Sequence, residues 1–179
     1  MQVEINPSEY TVLIVDDTIA NVLLLKVLIG NQKYRIVTAG NGMEALQAVE
    51  KESPDLILLD IMMPGMNGYE VAEKLKADPQ TQEIPIIFLT ALNSTNDIVK
   101  GFKTGASDYI SKPFNKEELL IRVTHQISLI AAKRLIASQM KELQSTIRGR
   151  DRLYSVIAHD LRSPMGSLKM IFNLLMAQL

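Results

Sequence analysis

Short apolar runs alternate with helical patterns over the first 122 residues. Runs rich in apolar and β-branched residues predict five strands, at 11–15, 35–39, 56–59, 84–89 and 107–110. Apolar residues at helical spacing predict five helices, at 19–29, 43–51, 69–77, 98–104 and from 115 onward. The strands are apolar without alternation, which is typical of strands covered on both faces. The order of elements therefore predicts an α/β fold with a doubly wound five-stranded parallel sheet.

A long helix follows this alternating region. Between residues 119 and 163 the chain has no proline, and Gly149 is its only glycine. Its apolar residues fit a heptad with a at Met140, Ile147, Tyr154, Leu161, Leu168 and Leu175, and d at Ile136, Leu143, Arg150, Ile157, Pro164 and Ile171. Such a seam predicts a coiled coil or helical bundle that needs a partner, and we expect a homodimer. The alternative is a helix docked on the first domain of its own chain.

Composition and charge narrow the class of protein. The chain has 179 residues, 47% of them hydrophobic, and no cysteine, so disulfides and cysteine-based zinc sites are excluded. The start lacks the pattern of a secretory signal, and no run is apolar enough to predict a membrane span, so we expect a cytoplasmic protein. Residues 1–125 carry a net charge of −6 and residues 126–179 a net charge of +5, which indicates two modules. A solvated helix face explains the positive charge of residues 126–179. The sequence has no helix-turn-helix pattern, so we expect no nucleic acid partner.

Three carboxylates follow strands that end at the same edge of the predicted sheet. Asp16 and Asp17 come directly after the first strand, and Asp60 ends the third. An aspartate at a strand end often caps the next helix, and Asp17 is placed for that role. Three converging carboxylates repel one another unless a cation joins them, however, and oxygen ligands of this kind favour Mg²⁺.

Two further polar residues extend this set. Thr90 ends the fourth strand, and Lys112 follows the fifth. A hydroxyl and an ammonium beside a metal-binding carboxylate cluster suit a transferring phosphoryl group, with Asp60 as nucleophile. The alternatives are an ordinary strand-end hydroxyl for Thr90 and a solvated surface side chain for Lys112.

Residues 10–122 resemble a response-regulator receiver domain. The resemblance rests on four segments in the order and spacing of that family: Val15-Asp16-Asp17, the run from Leu59 to Gly68, Leu89-Thr90-Ala91 and Lys112-Pro113-Phe114. It implies a flavodoxin-like sheet of order 2-1-3-4-5. It also implies that Asp60 accepts a phosphoryl group from a histidine kinase or phosphotransfer protein, and that Asp16, Asp17, Asp60 and the carbonyl of Met62 hold Mg²⁺.

The same resemblance implies a switch. Thr90 would hydrogen-bond the phosphoryl group and move on activation, and Tyr109 would swing inward with it; the alternative is a half-buried strand tyrosine. The bond before Pro113 would be cis. Met62 and Leu92 would flank the phosphorylation site, where bulky apolar side chains hinder an attacking water, so we expect slow self-dephosphorylation.

A second candidate phosphoacceptor lies in the long helix. His159 falls at heptad position f, which faces away from the seam, and Asp160 follows at g. An exposed helical histidine is usually only solvated, and we interpret His125 that way. Residues 155–164, however, resemble the H-box of histidine kinases. This implies autophosphorylation of His159 with Asp160 as the acid/base, while Ser163 stands where that family usually has Thr or Asn.

Together these patterns predict an N-terminal fragment of a hybrid sensor histidine kinase. We expect a receiver domain over 1–124, a coiled-coil signalling helix over 125–150, and part of the first helix of a phosphoacceptor domain over 151–179. The sequence has no Gly-rich phosphate cradle, so we expect no ATP site in these residues. The alternative is a stand-alone receiver whose helix only dimerises and whose His159 is inert.

Overall fold

The computed structural model describes residues 5–91 and 104–176, and it leaves undescribed the side chains at 158–164, 167–169, 171–172 and 174–176. The chain divides into two compact units, residues 1–132 and residues 133–179. The first unit contains the sheet.

All five predicted strands form one parallel sheet. They are β1 (Thr11–Val15), β2 (Arg35–Ala39), β3 (Leu56–Asp60), β4 (Ile86–Thr90) and β5 (Asp108–Ser111). Their order is β2-β1-β3-β4-β5, which confirms the predicted fold. The chain moves outward from β1 to β2 and then crosses back to β3. The carboxyl ends of β1 and β3 therefore flank the point where strand order reverses, and ligands bind there in such sheets.

Four helices lie within the described residues. They are α1 (Ile19–Gly30), α2 (Gly42–Glu52), α3 (Gly68–Ala77) and α4 (Lys116–Met176), and a short 3-10 helix at Pro7–Glu9 precedes the sheet. The helix predicted at 98–104 lies outside the described residues except for Thr104, which is in a turn. Strand β4 begins two residues later than predicted because Pro85 has no N–H to contribute to the ladder.

Asparagine side chains fix the starts of three helices. The Asn41 side chain accepts a hydrogen bond from the Glu44 N–H at α2, and Asn67 with Glu70 forms a reciprocal capping box at α3. At α4 the Asn115 side chain accepts from two backbone N–H groups of the first turn. Each cap satisfies donors that the helix leaves without partners, which contributes about 1 kcal/mol.

The core has two layers, one on each face of the sheet. Alternate strand residues point to opposite faces, so Ile14 packs with α1 and α4, whereas Leu13 packs with α2 and α3. Phe88 is the largest fully buried side chain and meets Tyr69 edge-to-face, with ring centroids 5.2 Å apart. Burial on both faces explains why the strands are apolar without alternation.

The second unit consists of the part of α4 beyond residue 132. Its side chains are exposed wherever the structure describes them. The a and d side chains between residues 136 and 157 share this exposure, so the seam that the heptad predicts is uncovered in the single chain. Within the described part of the chain, no helix is both long enough and apolar enough to cross a membrane.

Candidate functional site

Three strand ends bring the predicted site residues together. Asp16 directly follows β1, Asp60 is the last residue of β3, and Lys112 directly follows β5. The backbone N–H of Lys112 donates to the carbonyl of Thr90 over 2.7 Å, which ties the end of β5 to the end of β4. The parallel sheet therefore places residues almost a hundred positions apart at a single edge.

Lys112 bridges the two buried carboxylates. Its Nζ lies 2.8 Å from Asp16 Oδ2 and 2.8 Å from Asp60 Oδ2. Asp16 and Asp60 are almost fully buried, whereas Asp17 is exposed. The Lys112 side chain is only 19% exposed, so it is not the solvated surface lysine that the sequence left as an alternative.

Burial and ion pairing shift the titration of this pair. Burial raises the pKa of the Asp60 carboxyl above its ordinary value, and the hydrogen bond from Lys112 opposes that shift without cancelling it. Burial lowers the pKa of the Lys112 ammonium, but its hydrogen bonds to Asp16 and Asp60 outweigh burial and raise that pKa overall. Lys112 therefore stays charged, and it favours the ionised form of Asp60 more strongly than the Met62 N–H does.

A side chain that the sequence analysis missed holds Asp16 in place. Asn21 Nδ2 donates to both carboxylate oxygens of Asp16, at 3.0 and 3.1 Å, and the Thr18 N–H donates to Oδ1 at 2.9 Å. Asn21 was detectable in the sequence as an uncharged polar residue within the otherwise apolar first turns of α1. Asp17 does not cap α1, because the N-cap is Thr18 and no side-chain bond caps the helix.

The backbone beside Asp60 is held equally closely. The Met62 N–H donates to Asp60 Oδ1 over 3.3 Å, while the Met62 side chain is 62% exposed. Gly68 N–H donates to the Ile61 carbonyl, and a Cβ at Gly68 would lie 2.3 Å from the Asp60 carbonyl oxygen. This close approach is a tertiary contact that the sequence alone does not reveal.

The carboxylates have the composition of a divalent cation site. One oxygen from each of Asp16, Asp17 and Asp60 lies within 4.8 Å of the others. Three carboxylates and one ammonium leave two negative charges when all are ionised, which a divalent cation balances. Carboxylate oxygens are the ligands that Mg²⁺ prefers, so these residues fit that ion.

The predicted switch residues lie on β4 and β5. Thr90 is buried at the end of β4, and Tyr109 on β5 is half-buried against the core. The guanidinium of Arg122 on α4 lies 5.5 Å from the Tyr109 ring centroid and bonds to Asp108 at 2.6 Å and to Glu118. The sequence analysis missed this cluster, although Glu118 and Arg122 have the spacing of a helical ion pair. The Lys112–Pro113 bond is cis, as predicted.

Within the part of the chain that the structure describes, none of the remaining predicted residues is seen in the pocket. Leu92 lies outside the described residues. His159 and Asp160 are on α4, and the description does not extend to their side chains or to that of Ser163. His125 is exposed on the same helix, in agreement with its interpretation as a surface residue.

Comparisons with known proteins match the part of the chain that contains the pocket. The profile of the response regulator receiver domain matches residues 12–124. Response regulator PleD of Caulobacter vibrioides is 45% identical over 112 residues, which are 63% of this chain and 25% of that protein. The chain thus spans about a quarter of the length of this curated relative.

Solved structures agree in fold. The signal receiver domain of a signal transduction histidine kinase from Syntrophus aciditrophicus is 34% identical with a TM-score of 0.62, covering 66% of this chain and 90% of that one. The receiver domain of sensor histidine kinase PA1611 from Pseudomonas aeruginosa has a magnesium ion in its active site cleft. It is 28% identical with a TM-score of 0.61, covering 66% of this chain and 97% of that one. The sheet order, the acidic pocket and these matches converge: the chain belongs to the response regulator receiver domain family.

Proposed function

We propose that Asp60 accepts a phosphoryl group from a histidine kinase or phosphotransfer protein in two-component signalling. The observation that carries this proposal is the pairing of Lys112 with both buried carboxylates, 2.8 Å from Asp16 and 2.8 Å from Asp60. An aspartate used only for structure needs no such pocket at a sheet edge. The same ammonium that favours ionised Asp60 is placed to meet the charge that a phosphoryl group brings.

The reaction needs no group beyond the pocket, a metal ion and a phosphodonor. A carboxylate oxygen of Asp60 attacks phosphorus, and the P–N bond of a phosphohistidine breaks. The imidazole leaves as a neutral ring, because its other nitrogen already carries a proton in the phosphohistidine. Lys112 offsets negative charge on the phosphoryl oxygens, and the Thr90 hydroxyl donates to one of them. Asp16, Asp17, Asp60 and the Met62 carbonyl would hold Mg²⁺, which supplies further charge neutralisation when bound.

Chemical phosphorylation tests this assignment. The full chain is incubated with a small acyl phosphate and Mg²⁺, and the phosphorylated fraction is followed by intact mass. We expect Asp60→Asn to abolish labelling and chelation of the metal to suppress it, while the exposed control Glu73→Gln leaves it unchanged. Labelling that persists in Asp60→Asn would refute the assignment. Decay of the label would also test the slow self-dephosphorylation expected from Met62 and Leu92.

The long helix supports a second step in the proposal. We infer that the phosphorylated receiver regulates a cytoplasmic histidine kinase whose phosphoacceptor is His159, with Asp160 as acid/base. The support is the H-box resemblance, the position of His159 away from the heptad seam, and the occurrence of similar receivers in histidine kinases. The uncovered seam of α4 supports a homodimer through this helix. The domain limits 1–124, 125–150 and 151–179 are part of this proposal.

The alternative is a stand-alone receiver whose helix only dimerises and whose His159 is inert. The family profile ends at residue 124, so it does not distinguish the two functions. The two functions are separated by supplying a cognate ATP-binding domain with labelled ATP to Asp60→Asn chains. We expect His159→Gln to lose the label and His125→Gln, the matched control, to keep it. Equal labelling of both variants would favour the stand-alone receiver.

A further inference from the structure

The two buried carboxylates of the pocket share one ammonium but differ in what else holds them. Among the described residues, the Asp60 carboxylate receives two hydrogen bonds, from Lys112 at 2.8 Å and from the Met62 N–H at 3.3 Å. The Asp16 carboxylate receives the same ammonium at 2.8 Å and three further bonds of 2.9, 3.0 and 3.1 Å. Asp16 is therefore the better satisfied of the two, although Lys112 lies equally close to both.

Asn21 supplies two of the three further bonds. Its Nδ2 lies 3.0 Å from Oδ1 and 3.1 Å from Oδ2 of Asp16, so one amide contacts both oxygens. The backbone N–H of Asn21 donates to the Thr18 carbonyl over 3.0 Å, which fixes this residue in the first turn of α1. The helix itself therefore holds the amide against the carboxylate.

The stability of α1 does not explain an asparagine at this position. Lys26 is the only other polar residue between positions 19 and 29, and asparagine favours a helix less than leucine does. Nor does Asp16 need the amide while Lys112 is in place. The Thr18 N–H already donates to Oδ1, and Lys112 already donates to Oδ2. The amide becomes necessary to Asp16 only when Lys112 moves away.

A phosphoryl group on Asp60 gives Lys112 a reason to move. The phosphoryl oxygens carry more negative charge than the single carboxylate oxygen that they replace, and Lys112 is the ammonium beside them. When Nζ turns toward these oxygens it leaves Oδ2 of Asp16, whose carboxylate is almost fully buried. A buried carboxylate that loses a partner carries a desolvation cost. The bond from Asn21 lowers that cost, because it keeps a donor on the oxygen that Lys112 leaves.

We propose that Asn21 is a positioning residue for phosphoryl transfer, because its amide holds Asp16 and so releases Lys112 from that carboxylate to the phosphoryl group on Asp60. The proposal rests on the role of Asp60 proposed above and adds a residue on α1 that acts through Asp16 and Lys112.

Labelling of the full chain by a small acyl phosphate with Mg²⁺ tests this role. Asn21→Leu keeps the approximate size of the side chain and removes its donor. Gln47→Leu, the matched control, makes the same change from amide to leucine on the exposed face of α2. We expect Asn21→Leu to lower the labelling rate constant roughly tenfold, as for the loss of a hydrogen bond to a charged group, and Gln47→Leu to leave it unchanged. A native rate constant in Asn21→Leu would overturn the proposal.

A second background separates positioning from a general effect on the fold. In Lys112→Met chains we expect Asn21→Leu to cost less than about twofold in the labelling rate constant, because the ammonium through which the amide acts is gone. A tenfold loss in both backgrounds would show that Asn21 acts independently of Lys112 and would contradict the proposal.

Crystal structures with Mg²⁺ and beryllofluoride, a stable mimic of the phosphoryl group, give a readout without turnover. We expect Lys112 Nζ to bond a fluorine in the native chain and to remain on Asp16 in Asn21→Leu. The same Lys112 contacts in both structures would overturn the role of Asn21 alone. Labelling that persists in Asp60→Asn would overturn the proposed function as well.

Discussion

The closest backbone approach at the pocket lies between Gly68 and the end of β3. A Cβ built at Gly68 would lie 2.3 Å from the Asp60 carbonyl oxygen and 2.9 Å from Ile61 Cα. Both neighbours are backbone atoms of the segment that carries the nucleophile, so neither can rotate away as a side chain does. We therefore expect Gly68→Ala to displace either the start of α3 or the backbone of Asp60.

The size of the effect follows from two opposing contributions. Alanine at a helical position is favoured over glycine by up to about 1 kcal/mol. Overpacking in a close-packed region costs about 1–3 kcal/mol, and a contact with backbone belongs at the upper end of that range. We expect a net destabilisation of roughly 1–2 kcal/mol, which lowers the Tm of a domain of this size by about 3–10 °C.

Thermal unfolding followed by circular dichroism measures the stability, and labelling by a small acyl phosphate measures the pocket. Gly149→Ala is the matched control, because apart from its own helix backbone no atom of the described residues lies within 4 Å of its Cβ. We expect Gly68→Ala to lower both the Tm and the labelling rate, and Gly149→Ala to lower neither. A Gly68→Ala chain with native Tm and native labelling rate would refute the argument from close approach.

Three further predictions concern the charges of the first unit. Asp17→Asn should weaken Mg²⁺ binding at least about tenfold with little change in Tm, because Asp17 is exposed. Calorimetric titration measures the Mg²⁺ affinity, and thermal unfolding measures the Tm. Burial raises the pKa of Asp60, so its ionisation destabilises the fold: without Mg²⁺, Asp60→Asn should raise the Tm at pH 7, and the gain should vanish below the ordinary pKa of 3.8. A gain that persists at low pH would contradict this sign. Arg122→Ala should cost about 1–2 kcal/mol in urea unfolding through its lost bonds to Asp108 and Glu118, whereas Lys74→Ala, on the exposed face of α3, should cost less than about 0.5 kcal/mol.

The sequence predicted the pocket well because each of its residues is fixed by a strand. Asp16, Asp60, Thr90 and Lys112 stand at or directly after strand ends, and parallel strands end at a common edge. The spacing of apolar residues and the lengths of the apolar runs were sufficient to place these residues at strand ends. The same reasoning predicted the sheet itself, since strands buried on both faces have a distinct composition.

Contacts between one helix or strand and another could not be predicted from these sequence patterns. Asn21 is visible in the sequence as a polar residue among apolar ones, but its bonds to Asp16 depend on how α1 packs against β1. Gly68 directly precedes the helix predicted at 69–77, and its close approach to the Asp60 backbone is visible only in the structure. The start of strand β4 was predicted two residues too early, because the prediction used apolar character and ignored that Pro85 has no N–H for the ladder. Each of these differences depends on a partner distant in sequence or on ladder geometry.

Strand β5 has contacts with the pocket at one end and with α4 at the other. It has four residues, with Lys112 directly after its last residue and Asp108 as its first. Lys112 contacts both buried carboxylates, and Asp108 and Tyr109 contact Arg122 on α4. A phosphoryl group on Asp60 would remove one carboxylate partner of Lys112 and add phosphoryl oxygens, so the balance of forces on the end of β5 must change. Strand β5 is bonded to β4 along its length, and Tyr109 on this strand lies against the guanidinium of Arg122. The tyrosine that the sequence analysis predicted as a switch therefore lies on the strand that links Lys112 to the first turns of α4.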